Sequence, residues 1–108
     1  MIAIRSETPP LRLDGSGAVR IGSSRVLLEL VIRAFQDGAT PEAIAQRYSS
    51  ASLSDIYSVI GYYLHHTSEI DAYLAERELL AEEIKQKIDQ HQGDLAELRQ
   101  RLLARRKA

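Results

Sequence analysis

The sequence predicts a mainly α protein: a short N-terminal β-hairpin, three compact helices in helix-turn-helix order, and one long C-terminal helix. Three observations carry that expectation. Apolar residues alternate with basic ones at residues 11–13 and 19–21, and later recur at helical spacing. Helix punctuation stands at Gly38, at Thr40-Pro41-Glu42 and at Ser52. A 4-3-4-3 spacing, apolar apart from Arg77, His91 and Arg105, then continues from Ile70 to Arg105. The expected organisation is a tail over 1–10, the hairpin and helix-turn-helix core over 11–67, and the long helix over 68–108.

Each element has a local reason. Pro9-Pro10 cannot enter a helix interior. Leu11-Arg12-Leu13 and Val19-Arg20-Ile21 flank Asp14-Gly15-Ser16-Gly17, which reads as a hairpin turn with the leucines, valine and isoleucine on one face. A lone hairpin is marginal in water, so it must lie on something else. Ser23 or Ser24 is expected to cap a helix ending near Asp37, buried on most sides apart from the stripe Glu29, Arg33, Gln36 and Asp37. Thr40 caps the next helix, with Pro41 at its first position. Ser52 with Asp55 caps a third helix over about 53–66, whose expected core face is Leu53, Ile56, Tyr57, Ile60, Tyr63 and Leu64. Gly93-Asp94 with Glu97 reads either as a tolerated glycine within one final helix or as a stop and restart. The unbroken heptad phase favours one helix.

Composition narrows the function. At 108 residues, 44% hydrophobic and 27% charged, the chain is long enough for a true core. It has no cysteine, which excludes a disulfide scaffold, a thiolate metal site and a cysteine nucleophile. No apolar run is long enough for a membrane span, and the first ten residues lack a signal-peptide core, so the expected location is cytoplasmic. The formal net charge of −1 conceals an asymmetry: residues 1–67 are neutral, 68–98 carry −6, and 99–108 carry +5.

The helix-turn-helix order makes DNA contact one expectation. Arg25 and Arg47 would meet phosphates, and Ser52, Ser54 and Ser58 would face bases from the third helix. Against it, Leu53 to Leu64 holds no basic residue and Asp55 repels phosphate, so a plain packing unit is the alternative. Arg25 could equally tie the hairpin to the helix start through backbone carbonyls. His65 and His66 suit a helix end, and no spacing of the three histidines suggests a metal. No nucleophile elbow or phosphate loop is present, so neither catalysis nor a cofactor is expected.

Arg20-Ile21-Gly22-Ser23-Ser24-Arg25-Val26, Ala39-Thr40-Pro41-Glu42-Ala43-Ile44 through Tyr48, and Asp55-Ile56-Tyr57 through Tyr62-Tyr63-Leu64 together resemble the domain of unknown function 433 family. That family pairs an Ile-x-Gly-Thr-Arg-Val segment with a Gly-x-(Ser/Thr)-x-Glu-x-Ile helix start. A Tyr-Pro-x-Leu connector and an Asp-(Val/Ile)-Tyr-x-x-(Ile/Leu)-x-Tyr-Tyr-Leu helix follow. The likeness covers about residues 11–77. Ser23-Ser24 depart from the usual Gly-Thr, and Ser49-Ser50 from the proline after Tyr48. The resemblance implies a winged or homeodomain-like helix-turn-helix core and kinship with VapB-type antitoxins, which partner PIN-like nuclease toxins.

The functional expectation is therefore a non-catalytic, antitoxin-like, DNA-binding regulator of a toxin-antitoxin pair. The alternative is a homodimeric interaction module with no DNA role. A homodimer is expected in either case, and the dimer or partner seam Ile84, Ile88, Leu95, Leu98 and Leu102 needs apolar cover, from a second long helix or from the cores. The long helix either captures a nuclease toxin or simply dimerises the protein.

Overall fold

The computed structural model describes residues 1–106, with the side chains of 91–94, 96 and 104–106 excepted. Strands β1 (Leu11–Leu13) and β2 (Val19–Ile21) are followed by helices α1 (Leu28–Gln36), α2 (Pro41–Arg47), α3 (Leu53–His65) and α4 (Thr67–Arg106). The fold is mainly α, with the hairpin, the three-helix core and the long C-terminal helix that the sequence predicts. Two compact units result, residues 1–71 and residues 72–108.

The hairpin is antiparallel, with Leu11 opposite Ile21, Arg12 opposite Arg20 and Leu13 opposite Val19. Its loop is built on Asp14. One carboxylate oxygen accepts from the Ser16 amide at 2.8 Å, the Ser16 hydroxyl at 2.6 Å and the Ala18 amide at 3.1 Å. Gly17 supplies the left-handed residue this turn needs, at φ 87°. Only part of the expected apolar face is covered: Ile21 is fully buried against α1 and α3, whereas Leu13 is 71% exposed.

The start of α1 differs from expectation. Its N-cap is Leu27, with no side-chain cap, and neither Ser23 nor Ser24 fills that role. Ser24 is committed elsewhere: its hydroxyl donates to the Ile21 carbonyl and accepts from the Val26 amide. The chain after β2 turns back on itself, with the Ile21 amide bonded to the Val26 carbonyl at 3.0 Å and a bridge between Arg20 and Leu27. These pairings hold residues 22–27 out of the helix. The other end is as read. Gly38, at φ 99°, ends α1 with its amide on the Phe35 carbonyl and the Ala39 amide on the Ala34 carbonyl, the paired bonds of a Schellman stop.

Thr40 caps α2 by accepting from the Ala43 amide at 3.1 Å, and Ser52 caps α3 by accepting from the Asp55 amide at 3.1 Å. The core of the first unit centres on Ile21, Val31, Ile32, Ile44, Ile56 and Val59, all at most 1% exposed. The face of α3 differs from expectation. Ile56, Val59, Ile60 and Tyr63 are buried, while Leu53, Tyr57 and Leu64 stand 43–60% exposed. The helix carries two overlapping apolar stripes, and Val59 lies on the buried one. α4 follows after the single residue His66 and runs as one helix through Gly93.

Candidate functional site

Of the expected contact residues, Arg25 lies in the turn between the hairpin and α1, Arg47 ends α2, and Ser52, Ser54 and Ser58 cap or lie in α3. Gly22, at φ 57°, sits so close to α3 that a Cβ there would lie 2.6 Å from Asp55 Oδ2. That approach fixes the turn carrying Arg25 beside the first turn of α3. The turn is itself held by arginines, but not by Arg25. Arg12 donates to the carbonyls of Gly22 at 2.6 Å and Ser24 at 3.0 Å, and Arg20 donates to the Arg25 carbonyl at 2.6 Å. The backbone-tying role considered for Arg25 thus belongs to the two strand arginines opposite each other in the hairpin. Arg25 is exposed and contributes its carbonyl, not its guanidinium, to this network.

Arg20 also donates from Nε to Asp14 at 2.8 Å. The Ser16 hydrogen bonds first, and then the Arg20 guanidinium, hold the Asp14 carboxyl well below the usual carboxylate range. Loop, strand and following turn are thereby joined into one charged network.

Arg47 is exposed at the last position of α2. Ser52 and Ser54 are exposed at the start of α3, with their hydroxyls 3.3 Å apart. Ser58 lies in a different setting. It lines a cleft of about 370 Å³ with Glu7, Thr8, Pro9, Pro10, Asp55, Gly61 and Tyr62. The tail is led to this place by the hairpin, because Pro10 accepts from the Gly22 amide at 2.8 Å. All three serines are exposed, but Ser58 shares a cleft with two carboxylates that repel phosphate.

Two tyrosines of α3 have roles that helical spacing did not indicate. Tyr57 donates to the Glu42 carboxylate of α2, tying the two helices across their connector. That bond pulls the Glu42 carboxyl below its ordinary value and pushes the Tyr57 phenol above its own. Tyr63 accepts from Gln36 Nε2 and donates to Asp71 Oδ1, both at 3.0 Å. The phenolic oxygens were the available signal, since a tyrosine on an apolar stripe must find a polar partner or reach water. At the end of α3, the His66 ring stacks on Tyr62 with centroids 4.0 Å apart, and its Nδ1 lies 3.0 Å from the Tyr62 carbonyl.

The seam residues of α4 are all on the surface of their unit: Ile84, Ile88, Leu95, Leu98 and Leu102 are 51–55% exposed. His91 falls among the side chains outside the described set. Among the described residues, no cluster of three or more His, Cys, Asp or Glu is placed to hold a metal ion, and no helix is long and apolar enough to cross a membrane.

No curated protein and no solved structure matches this chain. Residues 15–63, from the hairpin loop to the last buried tyrosine of α3, match the family model described as "Protein of unknown function (DUF433)".

Proposed function

We propose that the protein is a non-catalytic, antitoxin-like interaction protein that works by pairing along α4, with the helix-turn-helix core as its regulatory head. The observation that carries this reading is the seam. Five large aliphatic side chains in one heptad phase each keep about half of their surface exposed. Covering the exposed half of one such side chain is worth roughly 1 kcal/mol, so the seam of two chains offers several kcal/mol toward association. A helix displaying this seam alone is marginal in water. A second copy of the chain is the first occupant in this reading. A PIN-like nuclease toxin is the foreign occupant suggested by the family resemblance.

Truncation after Glu78 tests the proposal. The full chain should sediment as a dimer at micromolar concentration, and the truncated chain as a folded monomer. A truncated chain that remains dimeric overturns the assignment to α4.

A second reading, promoter binding by the core, is favoured by the exposed Arg25 and Arg47 and by the open N-terminal turn of α3. It requires affinity for promoter DNA that falls steeply with salt and a smaller salt slope in Arg25→Ala and Arg47→Ala variants. Absence of binding at low salt removes it.

A further inference from the structure

We propose that α4 pairs with α4 of a second copy in antiparallel orientation, in the register that sets Ile84 opposite Leu95 of the partner subunit. The inference rests on the self-pairing reading above and adds orientation and register to it. Orientation follows from charge. Residues 68–98 carry −6 and residues 99–108 carry +5. A parallel pair lays acid beside acid and base beside base along its whole length. An antiparallel pair lays each basic tip along the acidic stretch of the other chain, and charges flanking a seam set the orientation of paired helices.

Register follows from the residues beside the seam. Antiparallel seams interleave in steps of one heptad. With Ile84 opposite Leu95 of the partner subunit, Ala81 comes opposite Leu98 of the partner subunit. The flanking Glu78 then lies alongside Arg99 of the partner subunit, twice by two-fold symmetry. Sliding one heptad to pair Ile84 with Leu102 of the partner subunit brings Lys85 alongside the partner's Arg99. Sliding the other way sets Lys85 against the partner's Lys85. Only the first of these three registers sets no like charges against each other at the positions flanking the seam. The side chains concerned, Glu78, Lys85 and Arg99, are all exposed in their unit, as pairing of this kind requires.

The chain has no cysteine, so engineered ones report cleanly. Full-length Ile84→Cys, Leu95→Cys and Leu102→Cys variants are checked for parental helix content, oxidised mildly alone and in pairwise mixtures, and the linked peptides identified by mass spectrometry. The 84–95 mixture should yield disulfide dimers about tenfold in excess of either variant alone, because a disulfide needs Cα atoms within about 7 Å. Efficient linking of Ile84→Cys with itself overturns the antiparallel orientation, and a dominant 84–102 product overturns the register. Sedimentation of the parent separates the two levels. A dimer that gives no 84–95 link refutes this inference alone, whereas a monomer refutes self-pairing as well.

Discussion

Replacing Tyr63 by Phe removes one oxygen atom and leaves the rest of the side chain in place. The ring is 6% exposed and meets Phe35 edge-on, with centroids 6.3 Å apart and an interplanar angle of 80°. The hydroxyl joins three helices, accepting from Gln36 at the end of α1 and donating to Asp71 near the start of α4. Phe keeps the packing and the aromatic contact, so the loss is confined to two hydrogen bonds. A neutral bond contributes about 0.5–1.5 kcal/mol, and one to a charged group about 1.5–3 kcal/mol. Gln36 and Asp71 are both exposed and regain water when the hydroxyl is removed, which brings the expected loss to about 1–2 kcal/mol. For a unit of this size that lowers Tm by roughly 5–15 °C. Tyr63→Ala, which also empties the ring's place in the core, should cost about 3–5 kcal/mol. Urea unfolding followed by far-ultraviolet circular dichroism measures both, with the slope m unchanged in the Phe variant. The reasoning is refuted if Tyr63→Phe is as stable as the parent, or if it is as damaging as Tyr63→Ala.

Three further outcomes follow from the same geometry. Gly22→Ala should lose about 1–2 kcal/mol from its left-handed backbone, and Asp55→Ala in the same chain should recover only the part due to the close carboxylate; full recovery would show that the backbone strain is absent. Because the folded-state pKa of Asp14 lies below its ordinary value of 3.8, its stabilisation is complete above about pH 5 and is lost as pH falls below 4. Asp14→Asn should therefore be less stable at neutral pH and show a shallower acid decline in urea midpoints, and an unchanged decline would count against the loop network. Tyr57 has its pKa raised above 10.0 by Glu42, so the pair's contribution persists at neutral pH and is lost as pH rises through that higher value. In an ultraviolet tyrosine titration Glu42→Gln should return one late-titrating phenol toward 10.0, and Tyr57→Phe should remove it altogether. A curve unaltered in both variants would rule out the bond.

What the sequence determined by itself is the set of features that depend on a few adjacent residues. The Asp14–Gly17 loop, the Gly38 stop, and the Thr40 and Ser52 caps were all legible because each is a hydrogen bond or a backbone conformation spanning at most six residues. The heptad phase of α4 was legible for the same reason: it is a repeat, and it carries through Gly93 without interruption.

The tertiary structure alone decided which of two acceptable local choices won. Ser24 is a good helix cap in isolation, but arginines 12 and 4 residues earlier, together with the Ile21 backbone, hold its segment as a turn, and α1 starts at Leu28 instead. α3 has two apolar stripes, and a 13-residue helix packed on one side can bury only one of them. Val59 is buried while Leu53 and Leu64 are exposed because of how α1, α2 and β2 pack on α3, which no local pattern encodes. The candidate site divides in the same way. Ser52, Ser54 and Ser58 all kept their expected exposure, but Ser58 shares a cleft with Glu7 and Pro10, about 50 residues away along the chain. Such contacts depend on where the hairpin directs the tail, and spacing along the chain carries information about neighbours on one element, not about the element that comes to lie against it.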